Sequence, residues 1–143
     1  MLHGGLLRTI RALVILHVTG VIVAASVSNT ILILARDGPS ASSATSGLQG
    51  YGIPYEVVLV PQSGITLPPL SASATEGNYG GIVVMSEVAY LFPTGWGSAL
   101  MASQWQALYD YQTGFRVRMV RLDAFPSTDL GRSSLTTTRY NED

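Results

Sequence analysis

The stretch Ile31-Leu-Ile-Leu-Ala-Arg36-Asp37 decides the fold that the sequence predicts. Four large aliphatic residues in succession lead into a charged pair, and Gly38-Pro39 follows directly. A short, uninterrupted apolar run that ends at turn residues is typical of a strand covered on both faces, as strands are in parallel sheets. The stretch therefore predicts a central parallel strand, and such a strand requires crossover helices and neighbouring strands elsewhere in the chain.

Three later segments predict the neighbouring strands. They are Glu56–Val60, Gly80–Met85 and Phe115–Leu122. In the last of them apolar and charged residues alternate, which indicates an edge strand or a partly exposed face. The first two predicted strands and the segment between them span about thirty residues, the size of a right-handed βαβ unit.

Two segments between these strands predict helices. The first is rich in Ser and Ala, with Ser40 as its expected N-cap and its end near Gly50. The second runs over residues 104–113, with Ser103 as the expected N-cap and Gly114 as the terminator. Between the third strand and this helix, residues 92–97 contain Pro, Gly and Trp and predict a turn-rich loop.

These elements together predict an α/β domain. Its sheet is expected to be open, mostly parallel and flavodoxin-like, with about four strands joined by crossover helices, most simply in the order 2-1-3-4. The order reverses between the first and third predicted strands. Ligands of open α/β sheets bind at such a switch point, outside the carboxyl ends of the strands.

Six polar or charged residues follow the strands at this edge and are the candidate ligand-binding residues. They are Arg36, Asp37, Ser86, Glu87, Arg121 and Asp123. The same charges could instead form structural ion pairs, Arg36 with Asp123 or Arg121 with Glu87. The sequence leaves both interpretations open.

Composition restricts the chemistry. Net charge is −1 and the chain contains no lysine, so a phosphate-binding surface for nucleic acid is not expected. There is no cysteine, and the two histidines, His3 and His17, lie in the N-terminal segment. A Ser-His-Asp triad and a histidine or thiolate metal site are therefore excluded from the remainder, and neither a metal nor a cofactor is expected. A carboxylate pair, Glu87 with Asp123, leaves a divergent hydrolase as a weaker alternative.

The ends of the chain differ from the predicted α/β domain, residues 29–126. In residues 1–28, two arginines precede an apolar run that ends in small residues, which is typical of a secretory signal peptide. The run is shorter than the ~20 residues of a membrane-spanning helix, so no stable span is expected. Packing of this leader against the domain remains an alternative. Residues 127–143 are polar and are expected to be disordered.

Longer stretches of the sequence resemble the N-terminal α/β domain of fungal secreted galactosaminogalactan (polysaccharide) deacetylase-like proteins. The stretches that carry the resemblance are Asn29–Asp37, Ser42–Tyr55, Val60–Gly64, Asn78–Tyr90, Gln104-Trp105, Leu108–Gln112 and Arg118–Asp123. Proteins of that family combine a carbohydrate-binding module with a metal-dependent deacetylase domain. The resemblance also implies a fold like that of class I glutamine amidotransferases, without the cysteine nucleophile.

The resemblance implies that this chain alone does not carry out the catalysis of the family. The family's Asp/His metal site has no matching histidines here, so no catalytic residue is carried over. The resemblance therefore implies an accessory domain, or a truncated form, of a secreted amino-sugar polysaccharide deacetylase, with polysaccharide or a missing catalytic domain as its partner. A free-standing α/β protein that binds a small ligand or a sugar is the alternative.

Overall fold

The computed structural model describes residues 25–124, in which short strands alternate with two helices. In chain order the elements are β1 (Ser26–Val27), β2 (Ile31–Ala35), α1 (Gly38–Gly50), β3 (Tyr55–Leu59), β4 (Glu76–Gly77), β5 (Gly81–Met85), a 3-10 turn (Ser86–Val88), β6 (Ala89–Phe92), β7 (Gly95–Ser98), α2 (Ala102–Phe115) and β8 (Arg118–Leu122). The predicted leader (residues 1–28) is described only from residue 25 onward, and the predicted disordered tail (residues 127–143) lies outside the described residues.

The main sheet consists of β3, β2, β5 and β8, in that order, and every neighbouring pair is parallel. Ile33 in β2 is in register with Val57 on one side and Val83 on the other. The open parallel α/β sheet and the order 2-1-3-4 predicted from the sequence are therefore confirmed. The uninterrupted apolar run predicted β2 correctly because all four residues from Leu32 to Ala35 are fully buried.

Each face of the sheet packs against one helix, since successive side chains of a strand point to opposite faces. On one face Leu32 and Leu34 belong to a cluster with Leu108 and Tyr111 of α2. On the other face Ile33 and Ala35 pack with the small residues of α1, including Ala41. Small side chains allow α1 to lie close to the sheet, so the Ser- and Ala-rich composition of the predicted crossover helix has a packing reason.

The helix boundaries differ from the predicted ones. Asp37, not Ser40, caps α1, because its Oδ1 accepts the backbone N–H of Ser40 at 2.8 Å. The helix α2 begins at Ala102, one residue before the expected cap Ser103, and continues through Gly114 to Phe115. Arg116 then adopts a left-handed conformation (φ 56°) and ends the helix, so Phe115 belongs to α2 and the fourth strand of the sheet begins only at Arg118.

Two further pairs of strands lie beside the main sheet. β1 pairs in parallel with β4, which brings Ser26–Val27 against Glu76–Gly77. β6 and β7 form an antiparallel hairpin, where the sequence predicted a turn-rich loop. Within residues 25–124, none of the helices is both long enough and apolar enough to cross a membrane.

Candidate functional site

Four of the six predicted site residues line one cleft at the carboxyl edge of the sheet. Arg36 follows β2, Ser86 and Glu87 follow β5, and Asp123 follows β8. These strands are adjacent and parallel, so their carboxyl ends meet at the same edge. The cleft has a volume of about 660 Å³. Open parallel topology thus brings together side chains that are distant in the sequence.

The backbone that carries Ser86 and Glu87 is strained. Ser86, Glu87 and Val88 have φ values of 47°, 54° and 51°, three left-handed residues in succession without a glycine. This conformation is a genuine outlier for a β-branched residue such as Val88. Non-glycine residues persist there only when their surroundings over-determine them, and such residues cluster at ligand-binding and active sites.

Three contacts fix this left-handed turn. The side chain of Val88 is fully buried in the core. The hydroxyl of Ser98 in β7 donates to the carbonyl oxygen of Glu87 at 2.7 Å. The carboxylate of Glu87 accepts from Nη1 of Arg121 at 3.0 Å in an ion pair. The turn therefore presents Ser86 and Glu87 to the cleft in a predetermined arrangement.

Arg121 positions Glu87 and is not among the residues that line the cleft. Its guanidinium lies over the ring of Trp105, 4.7 Å from the ring centroid, and it also donates to the hydroxyl of Tyr109. The aromatic rings of α2 therefore hold the arginine in place by cation–π contact. Of the two ion pairs left open by the sequence, the structure contains Arg121 with Glu87.

The predicted pair of Arg36 with Asp123 is not formed. Asp123 accepts a hydrogen bond from the hydroxyl of Ser86 at 2.8 Å, and Arg36 donates from Nη1 to the carbonyl oxygen of Ala89 at 3.2 Å. The guanidinium of Arg36 also lies 5.9 Å from the ring centroid of Tyr90. Its Nε is buried and has no hydrogen-bond partner among residues 25–124. Within residues 25–124 its Nη2 forms no hydrogen bond either, so Arg36 borders the cleft with a terminal donor that the described residues do not use.

Asp37 has a structural role at this edge. It is not among the residues that line the cleft, and its carboxylate caps α1. The hydrogen bonds from Ser40 lower the pKa of Asp37 below its usual value, because they stabilise the ionised form. The sequence placed this residue at the correct edge, but its side chain serves the helix and lies outside the lining of the cleft.

The hairpin of β6 and β7 forms an apolar wall that the sequence did not assign to the site. Trp96 lines the cleft together with Ala89 and Ser98. Trp96 is paired with Leu91 across the hairpin, and its side chain is 71% exposed. The available sequence signal was a Pro-Thr-Gly turn between two short runs containing aromatic residues, which is a hairpin pattern.

A second cavity adjoins the cleft on the side of α1. Its volume is about 550 Å³. Residues Arg36, Ser86 and Asp123 line both cavities. The second cavity is completed by Pro39, Ser40 and Ser43 of α1 and by Met85 and Leu122 at the strand ends.

The donor set of this edge suits a polar organic ligand. Within residues 25–124 no group of His, Asp and Glu residues is arranged so that it could hold a metal ion. The cleft combines one exposed aromatic ring with a guanidinium, two hydroxyls and two carboxylates. An apolar wall with a few oriented polar groups is the usual construction of a small-molecule site.

Two of three comparisons with known proteins find a similar protein or family. The sequence model of a family described as Agd3 CBM87 matches residues 27–143. A solved structure, described as that of Agd3, a novel carbohydrate deacetylase, matches 75% of this chain with 52% sequence identity and a TM-score of 0.73. The chain covers 16% of that protein. No curated protein matches the chain.

Proposed function

The chain belongs to the Agd3 CBM87 family, and from this membership we propose that it is a carbohydrate-binding domain that itself performs no catalysis. The proposed ligand is an amino-sugar polysaccharide, bound in the cleft at the carboxyl edge of the sheet. Family membership supports the class of ligand. The position of the site is supported by the geometry of the cleft.

The observation that carries the proposed site is that the exposed ring of Trp96 and several polar side chains line the same cleft. A pyranose ring has one largely apolar C–H face and a rim of hydroxyl groups. An exposed indole offers a flat apolar surface to that face, while Arg36 and Glu87 offer a donor and an acceptor to the rim. Trp96 lies on a hairpin and the polar groups lie at strand ends, so the cleft is built on regular elements.

We further propose that the chemistry of deacetylation belongs to a separate domain. The solved deacetylase is much longer than this chain, which covers 16% of it. The edge strand β8 supports docking of such a domain, because β8 is the last strand of the main sheet and its Val120 is 44% exposed. The proposed role is thus an accessory domain that holds polysaccharide near a catalytic domain.

The proposed location is extracellular. The basic residues followed by an apolar run in residues 1–28 support export, and a polysaccharide ligand of the cell wall or matrix would be available there. The terminal sequence of the protein recovered from culture medium tests this part. A mature N-terminus within a few residues of Ser26 is expected, and recovery only from cells with an intact Met1 would contradict it.

The binding test replaces Trp96 by alanine in the full chain. We expect Trp96→Ala to weaken binding to soluble N-acetylated hexosamine polysaccharide at least tenfold, since truncation of a central aromatic contact costs about 2 kcal/mol or more and about 1.4 kcal/mol corresponds to tenfold. The side chain is 71% exposed, so the free energy of unfolding should change by about 0.5 kcal/mol or less. Isothermal titration calorimetry and thermal unfolding measure the two quantities.

Tyr51→Ala is the matched control. Tyr51 is 86% exposed and lies at the C-terminal end of α1, so it is outside the residues that line either cavity. Its substitution should leave affinity unchanged. The proposal fails if the unsubstituted protein binds no polysaccharide, or if both variants bind as well as it does. Release of reducing sugar or acetate, lost in Glu87→Gln and Asp123→Asn, would instead identify the divergent hydrolase.

A further inference from the structure

The two cavities at the carboxyl edge of the sheet are adjacent. Arg36, Ser86 and Asp123 line both of them, so these three residues lie where the cavities meet. The hydrogen bond of 2.8 Å from Ser86 to Asp123 joins two of the three across the ends of β5 and β8. One cavity extends from this boundary under the hairpin, and the other extends along the first turns of α1.

The two cavities differ in chemistry. The cavity under the hairpin contains the exposed ring of Trp96 and the carboxylate of Glu87. The cavity beside α1 has no aromatic ring in its lining and offers the serines Ser40 and Ser43 next to Pro39. The first is suited to stack on a sugar ring, and the second to accept and donate hydrogen bonds along the edge of one.

Size also distinguishes this arrangement from a site for one sugar unit. The volumes are about 660 Å³ and 550 Å³, and neither cavity is enclosed. Each lies within the range of roughly 300–1,000 Å³ that holds a small ligand. A single monosaccharide in the cavity of Trp96 would leave the cavity beside α1 empty of contacts.

We propose that the two cavities are consecutive sugar subsites, so that the domain takes an internal stretch of at least two linked units of a polysaccharide. The linkage between the units lies over Arg36, Ser86 and Asp123. Within residues 25–124 the guanidinium of Arg36 forms one hydrogen bond, from Nη1 to Ala89, so Nη2 is left as a donor for the ligand. This inference rests on the proposed function of carbohydrate binding. The subsite of Trp96 supplies most of the affinity, and the subsite beside α1 adds to it only when the ligand is longer than one unit.

The test measures affinity against ligand length. N-acetylhexosamine oligosaccharides of one to six units are titrated into the full chain by calorimetry. For the unsubstituted protein we expect affinity to rise at least tenfold between one unit and the shortest oligosaccharide that reaches both subsites. Affinity should then level off, because longer ligands extend beyond the two cavities.

Ser43→Tyr fills the subsite beside α1, and Ser46→Tyr is the matched control. Both serines are exposed on α1, but only Ser43 lines the second cavity. We expect Ser43→Tyr to leave the affinity for the monosaccharide unchanged and to remove the gain with length, while Ser46→Tyr keeps the gain. Circular dichroism of both variants checks that the helix is intact.

The possible outcomes distinguish a failure of the two-subsite inference from a failure of the proposed carbohydrate-binding function. Equal affinity for all lengths, with Trp96→Ala still weakening binding, would overturn the two subsites and leave the carbohydrate-binding function standing. Retention of the length-dependent gain in Ser43→Tyr would likewise overturn the placement of the second subsite. Absence of binding to every oligosaccharide and to polysaccharide would mean that the proposed function itself is wrong.

Discussion

Hydrogen bonds of Tyr79 and Tyr111 hold the loop before β5 in place. The N–H of Tyr79 donates to the hydroxyl of Tyr111 at 2.9 Å, and that hydroxyl donates to the carbonyl oxygen of Tyr79 at 2.5 Å. The hydroxyl of Tyr79 in turn donates to Oε2 of Glu56 at 2.9 Å. Buried polar groups of a backbone require such partners, so one tyrosine of α2 satisfies a loop residue that no strand pairs with.

This arrangement predicts a loss of stability at high pH. Burial, with the hydrogen bond to Glu56 second, raises the pKa of Tyr79 to about 12, above its ordinary value of 10.0. The neutral form is thus favoured in the folded state. Its contribution to stability is fully present below about pH 10 and is lost as the pH rises through about 12. Urea unfolding from pH 8 to 12, with tyrosinate absorbance recorded in parallel, measures the effect.

Tyr79→Phe supplies the comparison. This variant removes the hydroxyl that titrates, so it should be less stable than the unsubstituted protein at pH 8 and should lose less stability between pH 10 and 12. The absorbance component with a midpoint near pH 12 should also disappear. An identical pH dependence in both proteins would show that Tyr79 is not the group responsible.

At the scale of elements, the left-handed turn after β5 is the feature that the cleft depends on. Ser86, Glu87 and Val88 adopt positive φ values because a buried side chain, an ion pair and the bond from Ser98 hold them there. The left-handed conformation costs an L-residue roughly 1–2 kcal/mol. The surrounding contacts must therefore offset several kcal/mol over the three residues.

The positive φ of Ser86 predicts that glycine is more stabilising than alanine at this position, the reverse of the usual order. Alanine normally stabilises a protein relative to glycine, but it is penalised where φ is positive. We expect Ser86→Gly to be more stable than Ser86→Ala by about 0.5–1 kcal/mol, since both lose the bond to Asp123 and only glycine relieves the strain. Chemical denaturation of the two variants measures the difference.

Position 46 provides the control for the relative stability of the glycine and alanine variants. Ser46 is exposed in the interior of α1, where the backbone is helical. There Ser46→Ala should be more stable than Ser46→Gly by about 1 kcal/mol. If alanine is favoured at both positions to the same extent, the turn is not strained in solution.

At the scale of the whole molecule, the pair of β1 and β4 connects the start of the described chain to α2. Gly77 of β4 is buried beneath Tyr111 and Phe115, and β1 lies beside it. A side chain at this position has no space. Three segments that are distant in the sequence therefore meet at one glycine.

Gly77→Ala should destabilise the domain by about 1–3 kcal/mol, the usual cost of overpacking. A Cβ there would lie 2.5 Å from the hydroxyl oxygen of Tyr111, 2.9 Å from Val27 and 3.0 Å from Phe115. In contrast, Gly47 in α1 has no atom within 4 Å of its Cβ position, so Gly47→Ala should stabilise the domain by about 0.5–1 kcal/mol. Thermal unfolding of both variants measures the two effects, and equal signs would contradict this account.

Membership of the family is likewise a property of the chain as a whole. The match over residues 27–143 and the 52% identity with the solved deacetylase confirm the resemblance to the N-terminal domain of polysaccharide deacetylase-like proteins. That resemblance was carried by long stretches such as Asn78–Tyr90, because no single residue in the chain identifies the chemistry.

The sequence by itself determined the parallel sheet, its strand order and the edge at which polar residues gather. An apolar run bounded by turn residues, such as Ile31–Ala35, predicts a buried strand. The right-handed crossovers that join parallel strands then restrict the strand order and place the carboxyl ends at one edge. The same pattern placed Arg36, Ser86, Glu87 and Asp123 at one edge.

Only the tertiary structure decided what those residues do. It paired Arg121 with Glu87, it bent residues 86–88 into a left-handed turn, and it placed Trp96 in the lining of the cleft. Each of these depends on contacts between segments that are remote in the sequence, whereas the cap of α1 is a local contact between Asp37 and Ser40. An ion pair and an aromatic wall are determined by the neighbours that the fold supplies, so local pattern alone does not predict them.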